Sequence, residues 1–424
     1  MTWRLGLVAG EPSGDLIAAR VLAGVQQADP EVQASGIGGP QLAAQGLELW
    51  HPMQALTVFG YLDALKQIPT LVRTYQDVKN RWLAQPPQVF LGVDAPDFNL
   101  RLEHKLKASG IPTVHLVSPS IWAWRYSRIH HIKEAVSHML VMFPFEEAIY
   151  QKENIPVTFV GHPLADAIAQ EPDRDAARAR LGLDPQARIL AVLPGSRASE
   201  IKWIAPRFLQ AVQRLQKRDP QLQVLVPMVN AARLKEFNQL LQLYPIKHLH
   251  VLATAAQSEQ DVRGAPARPI AWEALEACDV ALVASGTATL ETALFKRPMV
   301  ISYAVSPWVR RLMAWKSGQQ RPYVPWVGLP NVLLNETVVP ELIQEDATPE
   351  KLCAAVFEKF IDERGAREIK TKFEALHQSL RCDTAKRATE VILELAQARK
   401  PARNRATQSA ESAQGRAPRN KVCL

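Results

Sequence analysis

Short, wholly apolar runs alternate with longer amphipathic stretches along most of the chain, the pattern of βα units rather than of a helical bundle or a β-sandwich. Arg4-Leu5-Gly6-Leu7-Val8-Ala9-Gly10 reads as a first core strand. A helix is expected over about Leu16–Gln27, with Glu11-Pro12-Ser13-Gly14-Asp15 as the turn between them. Gln33–Gly38, Val89–Val93, Thr113–Val117, His138–Phe143 and Thr158–Val160 read as further strands. After a polar, charged stretch near Asp166–Asp175 the rhythm restarts with Ile189–Leu193, Gln223–Met228, Asp279–Ala284 and Pro298–Tyr303. Apolar runs this short, with no alternation, are strands buried on both faces, as in parallel sheets covered by helices. The predicted fold class is therefore α/β: two Rossmann-like domains facing a cleft, followed by C-terminal helices. The boundaries expected are 1–170, 171–345, helices over 346–397 that pack back on the first domain of their own or a neighbouring chain, and a disordered basic tail over 398–424.

Composition narrows the partners. The chain has 424 residues, 47% hydrophobic and 22% charged, enough for two domains with substantial cores. Its net charge of +8 is concentrated beyond Ala398, where Arg399, Lys400, Arg403, Arg405, Arg416, Arg419 and Lys421 face one acid, Glu411. The body is then close to neutral, which argues against nucleic acid as a partner. Four cysteines (Cys278, Cys353, Cys382, Cys423) lack metal-ligand spacing and fit a reducing cytosol. No signal-peptide pattern precedes the first strand, and no apolar run approaches the ~20 residues of a spanning helix. The segment from Met53 to Arg73, with Leu56, Phe59, Tyr61, Leu65, Ile68 and Leu71, reads as core packing or as an apolar surface for lipid chains.

Candidate chemistry gathers where predicted strands end, the edge at which open α/β sheets bind ligands. Val89–Val93 runs into Asp94-Ala95-Pro96-Asp97, two carboxylates that are either reactive groups or a turn residue and a helix cap. The Glu11–Asp15 turn suits an anion but lacks the Walker lysine and a full Rossmann glycine fingerprint. Trp122, Trp124 and Arg125 follow another strand end and either wall a sugar or lipid site or pack. In the second half, Gly195, Ser196 and Arg197 combine close backbone approach, a hydroxyl and a guanidinium fork for phosphate oxygens. Ser285, Gly286, Thr287 and Ala288 open a helix, with Glu291 early in it to hold a ribose or stabilise the helix. Asn331, in Gly328-Leu329-Pro330-Asn331, is a further candidate at the cleft rim.

With these residues in view, the chain resembles the lipid-A-disaccharide synthases. The matching motifs are Val-Ala-Gly-Glu-x-Ser-Gly-Asp (8–15), Gly-Val-Asp-Ala-Pro-Asp-Phe-Asn (92–99) and Val-Ser-Pro-Ser-Ile-Trp-Ala-Trp-Arg (117–125). Further along are Phe-Val-Gly-His-Pro (159–163), Leu-Pro-Gly-Ser-Arg (193–197), Ala-Ser-Gly-Thr-Ala-Thr-Leu-Glu (284–291) and Leu-Pro-Asn (329–331). The resemblance implies a two-domain B-type glycosyltransferase that needs neither metal nor cofactor. The second domain would hold UDP-2,3-diacylglucosamine and the first a 2,3-diacylglucosamine 1-phosphate acceptor, at the cytoplasmic face of the inner membrane. The mechanism expected on that basis is an inverting displacement with Asp94 as general base, Glu11 in reserve and Arg197 on the departing UDP. Gly195, Ser196, Ser285, Gly286, Thr287, Ala288, Glu291 and Asn331 would bind the nucleotide; Ser13, Asp97, Phe59, Trp122, Trp124 and Arg125 would meet the acceptor. The stretches 254–269 and 317–327 depart from the family pattern, and a homodimer stays open, with the last helices on either chain. The competing readings are a UDP-N-acetylglucosamine 2-epimerase or peptidoglycan-type transferase of the same architecture, and a regulatory nucleotide-binding protein.

Overall fold

The computed structural model describes residues 3–56, 61–253, 268–305 and 323–398, with the backbone alone for 61–67. The expected disordered tail, Phe59, and nearly all of the 254–269 stretch lie outside the described residues, as does most of 317–327. Two parallel sheets organise the rest. In the first, β1 (Arg4–Ala9), β2 (Gln33–Gly38), β3 (Glu48–Pro52), β4 (Val89–Val93), β5 (Thr113–Leu116), β6 (His138–Val141) and β7 (Val157–Phe159) take the order β3-β2-β1-β4-β5-β6-β7. In the second, β8 (Ile189–Leu193), β9 (Gln223–Met228), β10 (Leu249–Ala253), β11 (Val280–Ala284), β12 (Met299–Tyr303) and β13 (Glu341–Ile343) run β10-β9-β8-β11-β12-β13.

Both orders reverse in mid-sheet, between β1 and β4 and between β8 and β11, and a crevice opens at such a switch point beyond the strand ends. Ala9 pairs with Val93 and Leu193 with Val283, so the residues following each pair emerge side by side. All five residues of β4, β8 and β11 are buried, which explains why these central strands read as unbroken apolar runs. The edge strands β3, β10 and β13 are half exposed; they carry no such run and were not foreseen.

The helix after β1 begins at Pro12, earlier than expected, because proline's fixed φ and missing N–H are tolerated in a first turn. Asp15 is thereby buried inside that helix. Its carboxylate accepts hydrogen bonds from the backbone of Gly39 (2.7 Å) and Gln41 (2.9 Å), tying the first two βα connections together.

The C-terminal helices divide between the two lobes, a correction to the expectation that 346–397 returns to the first lobe as a unit. Pro349–Ile361 buries Leu352, Cys353 and Val356 in the core around Phe208 of the second lobe. Phe373, Leu376 and Leu380 of Glu363–Leu380 join Leu290 and Leu294. Glu363–Leu380 also reaches the end of the first lobe, where His162 N donates to Leu380 O (2.8 Å) and His377 Nε2 lies 2.9 Å from Ala165 O. Thr384–Ala398 packs along that lobe, placing Ala388, Val391 and Ile392 beside Ala18, Leu22 and Val25. There the backbones approach closely: a Cβ on Gly24 would lie 2.5 Å from Thr389 Oγ1. Asp166 anchors the crossing by accepting from the backbone N–H groups of Asp383 (3.0 Å) and Thr384 (2.8 Å).

Candidate active site

Asp94 leaves β4 with φ 52°, and Ala95 follows with φ 43°, two left-handed non-glycine residues in succession. Such conformations cost on the order of 1–3 kcal/mol each and persist only where the surroundings impose them. Here the Asp94 N–H donates to Leu116 O (2.9 Å), while Asn99 Nδ2 donates to Asp94 O (2.7 Å). Gly10 answers Ala95 from β1, because a Cβ at Gly10 would stand 2.8 Å from that of Ala95. Beneath the loop, His115 Nδ1 and Glu103 Oε1 are 2.8 Å apart, with both side chains fully buried. Burial pushes the Glu103 carboxyl up, against the pull of His115.

Glu11 caps the neighbouring strand end with its side chain in contact with solvent. Its carboxyl is raised by partial burial and then by the negative charge of Asp94, while Arg197 of the second lobe pulls it down. Asp94 and Arg197, from opposite lobes, are thus both near enough to act on the charge of Glu11. Tyr303, at the end of β12, faces the same group: burial and Glu200 raise its hydroxyl, and Arg197 opposes them. The lobes also touch through a hydrogen bond from Tyr323 N to Ala123 O (3.1 Å).

On the second lobe, Gly195 adopts φ 109°, and a Cβ there would lie 2.3 Å from Glu200 Oε2. That oxygen accepts from the N–H groups of Ser196 (2.8 Å) and Arg197 (3.1 Å). The amides expected to cradle an anion are thus held by a carboxylate, a role for Glu200 that sequence reasoning missed. The Arg197 side chain is exposed beyond them. Gly286, at φ 152°, has open space where a Cβ would sit, directly before the helix Thr287–Leu294. Thr287 is exposed and Ala288 half-buried, while Ser285 Oγ donates to Val327 O (3.1 Å). Glu291 accepts from Trp272 Nε1 (3.0 Å), and burial raises its carboxyl.

Asn331 corrects an expectation. It is fully buried, its Nδ2 donating to Val339 O (2.9 Å) and Glu341 Oε1 (2.8 Å) and its Oδ1 accepting from Val338 N (2.9 Å) and Val339 N (3.0 Å). An amide so engaged staples the 327–341 loop and has nothing left for a ligand.

A cavity of about 1070 Å³ opens from Gly10, Glu11 and Ala95 and runs along the helix Pro96–Ala108. One wall is apolar, with Leu56, Leu71, Val72, Tyr75 and Phe98; the far end carries Arg101, His104, Lys105 and His131. Of the acceptor candidates, Asp97 lies on this cavity, ion-paired with Arg128, and exposed Ser13 follows Glu11 in the first helical turn. Trp122, Trp124 and Arg125 do not line it. Trp122 packs edge-on against Phe145 (5.3 Å) and bonds to buried Glu146, so it supports the interlobe loop instead. Tyr75, Arg101 and Lys105 went unforeseen. Their only sequence signal was the spacing of 101 and 105, one turn apart on a helix face.

Comparison with known proteins identifies the relatives of the chain. A family model described as lipid-A-disaccharide synthetase matches residues 5–392. Similarity to the lipid-A-disaccharide synthase of Bordetella petrii reaches 63% identity over 93% of this chain and 99% of that protein. The synthase of Aromatoleum aromaticum is 46% identical over 93% and 96%. Among solved structures, an Anabaena protein in complex with UDP and glucose covers 94% of this chain and 100% of its own at 13% identity, with a TM-score of 0.54. WaaG, a glycosyltransferase involved in lipopolysaccharide biosynthesis, gives 0.54 at 12% identity, covering 92% and 99%. At such low identities the structural likeness speaks for the fold, and the sequence carries the rest. With motifs shared in order along nearly its whole length, the chain belongs to the lipid-A-disaccharide synthase family, glycosyltransferases of lipid A biosynthesis.

Proposed function

We propose that the chain transfers the sugar of UDP-2,3-diacylglucosamine to the 6-hydroxyl of 2,3-diacylglucosamine 1-phosphate, inverting the anomeric centre and releasing UDP. The observation that carries this reading is that Asp94 and Arg197, from opposite lobes, both act on the charge of Glu11, which lines the half-apolar cavity. Asp94, held by its strained loop, accepts the proton of the attacking hydroxyl; the carboxylate is fixed in advance, so little reorganisation is needed in the transition state. Glu11 is the second acid at the gap, and its raised carboxyl makes it the alternative base. Arg197 offsets the charge growing on the departing diphosphate, helped by the N-terminus of Thr287–Leu294. Glu291 keeps one carboxylate oxygen on Trp272 and offers the other to the ribose.

The acyl chains of the acceptor follow the apolar wall formed by Leu71, Val72 and Tyr75. Ile68 and Val72, each about half exposed on the helix Tyr61–Ala84, suit contact with a bilayer surface. No helix among the described residues is long and apolar enough to cross a membrane, so the proposed location is peripheral, at the cytoplasmic face of the inner membrane.

The test is incubation with both diacylated sugars, reading disaccharide 1-phosphate and UDP. Asp94→Asn should lower kcat by about 10²–10⁴-fold with UDP affinity little changed, the usual range for general-base assistance. Normal turnover by that variant would remove Asp94 from the reaction. Conversion of UDP-N-acetylglucosamine alone, with no disaccharide formed, would favour the epimerase reading.

A further inference from the structure

The far end of the cavity holds charge that the transfer chemistry does not use. Arg101 and Lys105 lie one turn apart on the cavity face of Pro96–Ala108, and among the described residues neither side chain pairs with a carboxylate. The nearby acids are otherwise engaged. Asp97 is ion-paired with Arg128, Glu103 is buried on His115, and Glu134 lies 3.9 Å from His104 Nδ1. His104 and His131 stack with ring centroids 5.9 Å apart at the same end. Two unneutralised cations beside two imidazoles, at the end of a cavity that is otherwise largely apolar, form a site for a doubly charged anion.

The distance fits a sugar. From Ala95 to Arg101 the helix rises about 9 Å, six residues at ~1.5 Å each, so the two cations stand roughly one hexose ring further along the cavity than the loop that carries the base. We infer that Arg101 and Lys105, with His131 beside them, bind the anomeric phosphate of the acceptor and so select phosphorylated over unphosphorylated acceptors. This inference rests on the proposed transfer for its choice of ligand. The chemistry it requires is a phosphate monoester carried on an acylated sugar.

Arg101→Gln/Lys105→Gln changes two exposed side chains, and an unaltered melting temperature checks that the fold is kept. The first measurement is the ratio of kcat/KM for 2,3-diacylglucosamine 1-phosphate to that for 2,3-diacylglucosamine. It should fall about 10–100-fold in the double variant, while KM for the UDP-sugar stays as it was. An unchanged ratio, or equal losses on both acceptors, would overturn the inference. The second measurement is calorimetric binding of glucosamine 1-phosphate, which does not depend on turnover. Binding to the unaltered protein and not to the double variant supports the subsite even if no disaccharide forms, in which case the transfer reading alone falls. Absence of binding to the unaltered protein, together with an unchanged ratio, sinks the subsite. Cosedimentation with phosphatidylglycerol vesicles separates a lipid headgroup as the source of the anion. Vesicle binding should survive the double substitution; its loss, with acceptor selectivity intact, would assign the cations to the bilayer and overturn the inference.

Discussion

Replacing Gly92 by alanine probes how tightly the buried polar cluster holds the Asp94 loop. The new Cβ would stand 2.2 Å from Glu103 Oε1 and 3.1 Å from Asn99 Cβ and Cγ. Gly92 is not in the left-handed region, so no backbone penalty enters and the effect is steric. Glu103 has nowhere to retreat without releasing His115, since its Oε1 holds Nδ1 at 2.8 Å and both side chains are wholly buried. Overpacking a core typically costs ~1–3 kcal/mol, and leaving a buried hydrogen-bonding group unpaired ~1–3 kcal/mol. We expect Gly92→Ala to cost about 2–5 kcal/mol, a large share of the ~5–15 kcal/mol that a domain commands. Asn99 would be displaced in the same movement, and with it the hydrogen bond that fixes Asp94 O, so residual activity should fall further than the folded fraction does. Urea unfolding of the first lobe measures the loss, in a cycle with Glu103→Ala. Because both changes disrupt one pair, the double variant should lose at least ~1 kcal/mol less than the sum of the singles. Additivity within ~0.5 kcal/mol, or an unmoved midpoint for Gly92→Ala, would refute the steric argument.

Two further outcomes are expected. Burial pushes the His162 imidazole down to about 4, while its Nδ1 accepts from Leu164 N at the start of the helix Pro163–Ala167. The unfolded chain therefore takes up this proton first as pH falls. The stability that His162 contributes is full above pH ~6.5 and is lost toward pH 4, by up to about 3 kcal/mol. Melting temperatures of His162→Asn across that window should decline less steeply than those of the unaltered protein; parallel curves would show that the imidazole does not titrate this way. Asp166→Ala removes the acceptor for Asp383 N, Thr384 N and Thr384 Oγ1, and should cost about 1–2 kcal/mol, the range of a lost helix cap. Amide exchange should rise first in Thr384–Ala398, and uniform protection would argue against this anchor.

The central strands were legible along the chain because burial on both faces needs an unbroken apolar run, and β1, β4, β8 and β11 each have one. Glu11, Asp94, Arg197 and Gly286 were legible for a related reason: a polar or glycine residue that interrupts such a run falls at a strand's carboxyl end. Strand pairing, Ala9 with Val93 and Leu193 with Val283, brings Glu11 toward Asp94 and Arg197 toward Gly286, each pair within its own lobe. Edge strands such as Glu48–Pro52 bury one face at most and leave no comparable trace.

Residue type and local period thus determined which elements form and which side chains stand at their ends. Only the tertiary structure decided which of those side chains are free to meet a ligand. Asn331 looks like a ligand contact until Val338, Val339 and Glu341 are seen to take its amide. The backbone after Gly195 looks like an anion cradle until Glu200 is seen on the N–H groups of Ser196 and Arg197, which leaves the exposed Arg197 guanidinium for a ligand. Conversely, Arg101 and Lys105 become a candidate site only once Tyr75 from one neighbouring helix and His131 from another enclose them. The last helix shows the same rule at long range, since its cap, Asp166, lies more than two hundred residues earlier in the chain. A hydrogen-bonding group can be used up by any neighbour in space, and which neighbours it has is set by packing between distant segments, which no local pattern records.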